Sequence, residues 1–316
     1  MLDLASENVS ESFMAKETLV SHSTVSRTID ECFGYFKPKR NYLPEHLMFD
    51  EFKSVKAVNG CMSFMYADAE THKIIDILED RKLFHLKRYF RRFTLAARRS
   101  VKTVCMDLYS PYISLVKEMF PKAEIIFDRF HIIQLLSRSL LKTRIDAMAK
   151  FNKHSMEYKR LKRYWKLIQK DSSALNRTDF WRYTHFKNFS SQYTVVNESI
   201  GVDPILKSTY EAYQILLGDI HSRDSERLIA HLTAFQSGGN RLSTPFLKSI
   251  KTLLSYQHGV QNALMYKYSN GPIEGINNSI KVLKRVAYGY RSFVRMQNRI
   301  LITHSLLKRK KEYRAA

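Results

Sequence analysis

Short apolar runs separated by polar breaks fill the stretch from His46 to Leu78. His46-Leu-Met-Phe-Asp50, Gly60-Cys-Met-Ser-Phe-Met-Tyr-Ala67 and Lys73-Ile-Ile-Asp-Ile-Leu78 read as three neighbouring strands in an antiparallel meander. The period then changes. Leu83, Leu86, Phe90 and Phe93 stand at helical spacing in a basic segment. Strand and helix alternate afterwards. Val101–Asp107 is a strand ending in a carboxylate, and Pro111–Met119 is a helix with proline at its start. Ala123–Asp128 is a further strand with Asp at its end, and a long helix runs from about Phe130 to Lys150.

A meander followed by strand–helix alternation is the order of a ribonuclease-H-like sheet, because parallel neighbours require helical crossovers. The expected fold class is therefore α/β, with this core spread over 45–150 and completed by 266–316. Residues 151–265 show no strand series; they are Lys-, Tyr- and Leu-rich and read as a helical insertion. Two last helices are expected, from Pro272 to Val286 and from about Phe293 to Lys311. At the other end, residues 1–33 read as a partial helix-turn-helix. Val20 and Val25 would pack its turn, and Ser21 or Ser23 would cap its second helix. Ser23, Thr24, Ser26 and Arg27 would then face DNA; an ordinary helical hairpin fits the same residues. Residues 34–44 form a basic, Pro-containing linker.

With 316 residues, 44% of them hydrophobic, the chain can bury a substantial core. Lys and Arg number 52 against 30 Asp and Glu, a net +22 that favours a polyanionic partner, since each phosphate neutralised releases counterions. No apolar run is long enough to span a membrane, and Met1–Ser10 has no apolar block of the secretory kind. Three scattered cysteines, Cys32, Cys61 and Cys105, argue against a disulfide framework or structural zinc site. The expected location is cytoplasmic, associated with a prokaryotic nucleoid.

Three strand ends carry the chemistry: Asp50, Asp107 and Asp128 each follow an apolar run. One Asp after a strand is commonly just a turn residue; three in one sheet suggest carboxylates converging on divalent metal for phosphoryl transfer. Gly271–Arg285 offers another acid on a helix. Ile273, Ile276, Ile280 and Leu283 form its apolar stripe, while Glu274, Asn278, Lys281 and Arg285 form a second face. That face sets one acid beside an amide and two cations, although Glu in the first turn also suits an ordinary capped helix. In Tyr158–Lys166 cations and aromatics interleave, as for phosphates and unpaired bases. A helix with aromatics inward and cations in water fits equally. Lys308-Arg-Lys-Lys311 reads as a solvated basic tail.

Five segments resemble the insertion-sequence transposases of the ISL-three type, in the DDE superfamily. They are Phe49-Asp-Glu-Phe-Lys53, Cys105-Met-Asp-Leu-Tyr-Ser-Pro-Tyr112, Phe127-Asp-Arg-Phe-His131, Asn270-Gly-Pro-Ile-Glu-Gly-Ile-Asn-Asn-Ser-Ile-Lys281 and Lys284-Arg-Val-Ala-Tyr-Gly-Tyr-Arg291. The resemblance spans roughly 20 to 305. It implies a catalytic Asp50, Asp107, Glu274 set holding two Mg²⁺ (or Mn²⁺) ions, with a helical insertion between the second Asp and the Glu. Asp128 and His131 match a further family motif and are expected at the active-site rim. Lys281, Lys284 and Arg285, with Asn278, would position the DNA backbone. The implied activity is metal-dependent strand cleavage and transfer at the element's terminal inverted repeats into target DNA, by a homo-oligomer on DNA. Family members usually carry a cysteine-rich zinc segment ahead of the helix-turn-helix. This sequence shows none and looks N-terminally shortened. The alternative is therefore a truncated, transposition-incompetent DNA-binding protein or repressor; a nuclease that cuts without joining is a third reading.

Overall fold

The computed structural model describes residues 2–32, 37–238 and 241–315; the side chains of Leu2, Cys32 and 306–315 are outside that description, and so is the basic tail expected at Lys308–Lys311. Part of the expected linker, 34–36, also lies outside the described residues. Two compact units emerge, one of residues 1–128 with 268–316, the other of 129–267.

The first unit is built on a five-stranded mixed sheet. Its strands are β1 (His46–Lys53), β2 (Met62–Asp68), β3 (Ile74–Leu78), β4 (Thr103–Met106) and β5 (Glu124–Phe127), in spatial order β3-β2-β1-β4-β5. β1, β2 and β3 pair antiparallel, while β4 and β5 run parallel to β1. The short polar breaks of the meander permit hairpins. β1 to β4 and β4 to β5 require crossovers, which α4 (Leu83–Phe90), α5 (Leu95–Ser100) and α6 (Ser110–Met119) supply. The single basic helix expected over 83–93 stops at Phe90; Thr94 then caps α5 by accepting from Ala97 N.

Alternation along β1 sorts its side chains to two faces. Phe49 goes to one face, where its ring meets Phe64 at 5.1 Å edge-on and Phe90 of α4 at 5.8 Å. Tyr112 and Phe120 close the same aromatic core. Asp50 goes to the other face, which α15 (Gly271–Val286) covers. Ile273, Ile276, Ile280 and Leu283 of α15 are buried as the stripe requires.

At the N-terminus lie α1 (Leu2–Ala5), α2 (Glu11–Glu17) and α3 (His22–Cys32). Ser21 accepts from Thr24 N at 3.1 Å, as the capping expectation asked. Val25 is buried with Ala5, Met14 and Ile29 against Ile302 of α16 (Phe293–Ala315), and Val20 packs at the edge. Arg299 of α16 is 1% exposed and donates to the carbonyls of Ala5, Glu7 and Val9. Burial lowers its pKa. The first helices thus share one core with the last.

The second unit is helical: α7 (Arg129–Met148), α8 (Met156–Arg163), α9 (Trp165–Gln169), α10 (Gln192–Ile200), α11 (Pro204–Ser222), α12 (Ser225–Gln236), α13 (Thr244–Ser255) and α14 (Gln257–Met265). Its only described β-pairing is a bridge between Trp181 and Ser190. The sequence boundary at 150 gave α7 to the sheet. In the structure α7 packs on α11 and α13 and opens the helical unit, because Leu136, Leu140 and Ala147 are buried there.

Candidate functional site

β1 sets the site's frame. Its His46, Leu47 and Met48 stand beside Thr103, Val104 and Cys105 of β4, and Met106 of β4 stands beside Phe127 of β5. Continued one residue past the ends of β4 and β5, that register puts Asp107 and Asp128 level with Asp50 of β1, on three adjacent parallel strands. Neighbouring strands are about 4.8 Å apart, and side chains in register share a face. One carboxylate oxygen of Asp107 and one of Asp128 lie within 4.8 Å of each other. Asp128 N donates to Met106 O at 2.9 Å, which fixes the backbone at that level. Asp50 and Asp107 are half-buried and Asp128 is buried.

α15 carries a further acid, Glu274, in its first turn. Asn270, at its N-terminus, donates through Nδ2 to Phe49 O (3.1 Å) and to Asp107 Oδ1 (3.3 Å). Asn277 donates to Asp50 Oδ2 (2.7 Å) and more weakly to Glu51 O (3.4 Å). Glu274 stands between the two amides at steps of four and three, so all three share one helical face. One amide grips Asp107 and the other Asp50, so the face bearing Glu274 is turned to the strand ends. Glu274 itself is exposed. Asn270 and Asn277 are 3% and 8% exposed.

The donor set suits a hard divalent cation. The carboxylate oxygens of Asp107 and Asp128 lie at a spacing where like charges repel unless a counter-charge intervenes. The two buried amides present N–H groups to Asp107 and Asp50, which lessens such repulsion without neutralising it. Glu51, next to Asp50, is not part of this set. Its side chain takes the opposite face and accepts from Arg81 Nη1 at 2.5 Å and from Tyr112 Oη at 3.3 Å.

The other site residues sort by environment. Lys281 is exposed and donates to Asn278 Oδ1 at 3.1 Å, and Arg285 is exposed on the same helix. Lys284 departs from the expectation of a DNA contact. Its ammonium donates to the carbonyls of Lys53 (2.7 Å) and Ser54 (3.0 Å), satisfying the backbone at the end of β1. Burial, then Lys53, lowers its pKa. In α3, Ser23 and Arg27 are exposed and Thr24 half-exposed. Ser26 is 7% exposed and donates to Glu11 Oε2 at 2.6 Å; it ties α3 to α2 and does not reach outward. His131 is half-buried in the first turn of α7.

Sequence reasoning chose Asn278 and passed over Asn270 and Asn277. The available signal was their spacing about Glu274, which a helix turns into a common face.

In unit two, the expected basic–aromatic segment divides. Tyr164 is buried, and Arg160 turns inward over the Phe186 ring (4.1 Å), donating to His185 O at 2.8 Å. Lys162, Arg163 and Lys166 remain exposed.

Residues 47–300 match the family model described as "Transposase". A protein of Lactococcus lactis subsp. lactis named "ATP-dependent protease" is 27% identical over 303 residues, covering 87% of this chain and 90% of its own length. The transposase for insertion sequence element IS1001 of Bordetella parapertussis is 24% identical over 248 residues, 78% of this chain and 58% of the relative. With the match running through β1, β4, β5 and α15, the chain belongs to the ISL-three-type transposases, a family of DNA-binding, DNA-processing enzymes of mobile elements.

Proposed function

We propose that the protein is a DDE transposase with a ribonuclease-H-like core, cutting and joining DNA at the ends of an insertion sequence. Asp50, Asp107 and Glu274 would hold divalent metal, with Asp128 flanking them. The observation that carries this reading is the pair of buried amides, Asn270 and Asn277, which flank Glu274 on one helical face and donate to Asp107 and Asp50. The strand order β3-β2-β1-β4-β5, with only β4 and β5 parallel to β1, supports the fold reading.

Bound Mg²⁺ or Mn²⁺ would neutralise phosphate charge and stabilise the oxygens of an in-line displacement. The chain's own residues do the rest. The sheet fixes the aspartates, the two amides set their orientation, and Lys281 and Arg285 hold the backbone phosphates through exposed cations. Water first opens the phosphodiester and frees a 3′-hydroxyl. That hydroxyl then attacks a target phosphodiester, expelling the target's own 3′ oxygen, so bond number is conserved. Exposed Ser23, Thr24 and Arg27 of α3 are the proposed DNA-reading residues, and two ends must be brought together, which calls for a homo-oligomer on DNA. The sequence contains no G-x₄-G-K-[ST] phosphate loop.

The test is nicking and strand transfer on DNA carrying the element's ends, with Mg²⁺. Asp50→Asn should abolish both products while end binding persists. Binding with no cleavage by the folded wild type would favour the repressor reading; cut ends that never join would favour a nuclease.

A further inference from the structure

The helical unit carries a surface that the carboxylate site does not use. Between α9 and α10 the chain folds back on itself. Trp181 N donates to Ser190 O and Ser190 N to Trp181 O, both at 3.0 Å. The loop is anchored from inside. Tyr164 Oη donates to Thr184 O at 2.7 Å, and Tyr164, Phe186 and Val195 form a small core beneath it. Outward, Phe180, Trp181 and Phe189 are 58%, 65% and 68% exposed. Three large rings held in water within ten residues, on a loop tied down at both ends, mark an interaction surface and not a packing remnant.

Charge says what it meets. Residues 153–187 contain ten Lys and Arg against three Asp and Glu. Two of those acids are engaged locally: Asp171 accepts from Ser173 and pairs with His221 (3.0 Å), and Asp179 accepts from Asn176. Arg182 and Lys187, beside the rings, are exposed and make no ion pair among the described residues. A second copy of a +22 chain is a poor occupant for such a surface. Duplex DNA would satisfy the cations but not the rings, because its base faces are already stacked. Unpaired bases satisfy both: the backbone lies on Arg and Lys while each base face meets an aromatic ring.

We infer that the Phe180–Phe189 loop binds unpaired nucleotides, stacking bases on Trp181 and Phe189 with Arg182 and Lys187 on the flanking phosphates. This goes beyond the catalytic reading and does not depend on it, since the binding needs neither metal nor Asp50.

The test is done on the full chain in chelator. The chain has two tryptophans, so Trp165→Phe leaves Trp181 as the sole tryptophan, excited selectively at the red edge where tyrosine does not absorb. A short oligothymidylate should quench Trp181 emission, and a duplex of equal length should quench it far less. With labelled oligothymidylate read by anisotropy, Trp181→Ala with Phe189→Ala should weaken affinity about tenfold or more, given what base stacking contributes. Arg182→Gln with Lys187→Gln should lower the salt slope by roughly 1.4, two single-strand phosphate contacts' worth. Asp50→Asn should bind as the wild type does, which separates this proposal from the catalytic one. The inference is overturned by no oligothymidylate binding, by binding that leaves Trp181 emission unchanged, or by equal quenching from duplex or from anionic phospholipid vesicles. Ring variants that change the oligomer's mass and not the affinity would overturn it too.

Discussion

Asn277→Asp would place a carboxylate where an amide now donates to Asp50 Oδ2 at 2.7 Å. Two like charges roughly 3 Å apart repel by about 5 kcal/mol at an effective dielectric of about 20. Proton uptake sets a lower ceiling. Keeping one carboxyl protonated at pH 7, against an ordinary pKa of about 3.9, costs about 4 kcal/mol; at pH 5 it costs about 1.5 kcal/mol. Once protonated, the introduced carboxyl donates to Asp50 much as the amide did. The variant's folded pair therefore binds a proton that the unfolded chain does not, and its stability falls as pH rises above the unfolded value. Urea unfolding of variant and wild type in chelator should show a gap of about 4 kcal/mol at pH 7 shrinking to about 1.5 at pH 5. Millimolar Mg²⁺ should narrow the gap at pH 7, because a bound cation removes the repulsion. A gap unchanged between the two pH values and indifferent to Mg²⁺ would refute both the contact and the cation-site reading.

Three further outcomes follow from contacts described above. Arg299→Met should destabilise the first unit by about 3 kcal/mol or more, since several buried carbonyls lose a donor; amide exchange should speed up in α1 to α3, and a uniform change across the sheet would contradict the contact. Lys284→Met should cost about 1–2 kcal/mol of stability and leave the salt slope of DNA binding unchanged; a shallower slope in the filter-binding assay would restore it as a phosphate contact. Asp203 caps α11 by accepting from Leu206 N at 2.9 Å, and it pairs with Lys150 at 2.5 Å. Burial raises its pKa, but the Lys150 ammonium and the backbone donors outweigh that and hold it below the usual carboxylate range. Its contribution is therefore present above pH ~4 and lost as pH falls through the lowered value. Asp203→Ala should cost about 1–2 kcal/mol at pH 7, and a penalty that persists unchanged at pH 2 would count against the pairing.

The strands were legible because the short apolar runs of β1 to β3 and the strand–helix alternation after them depend on local residue type alone. Asp107 and Asp128 at their strand ends were legible for the same reason, whereas β1 runs on past Asp50 to Lys53. Asn277 was not legible. Whether an amide on α15 meets an acid on β1 depends on how the helix is rotated over the sheet, and Asn277 and Asn278 differ by one step. Lys284 misled because a cation on a helix looks the same in sequence whether it faces water or a strand's last carbonyls. Ser26 misled likewise: its burial follows from Glu11, fifteen residues earlier, reaching across from α2. In 158–166 the alternation of rings and cations could not say that Arg160 turns inward, since that rests on Phe186 in a loop the sequence left unassigned.

The two halves of the carboxylate site are separated by the whole helical unit, with Asp50 and Asp107 before it and Asn270, Glu274 and Asn277 after it. On the ribosome, both aspartates emerge long before the helix that orients them. A polypeptide interrupted anywhere ahead of α15 has its acids unsteered and one of them missing. On the proposed reading, broken messages and stalled translation would yield fragments without the full acid set, and only a chain finished through α15 would carry it.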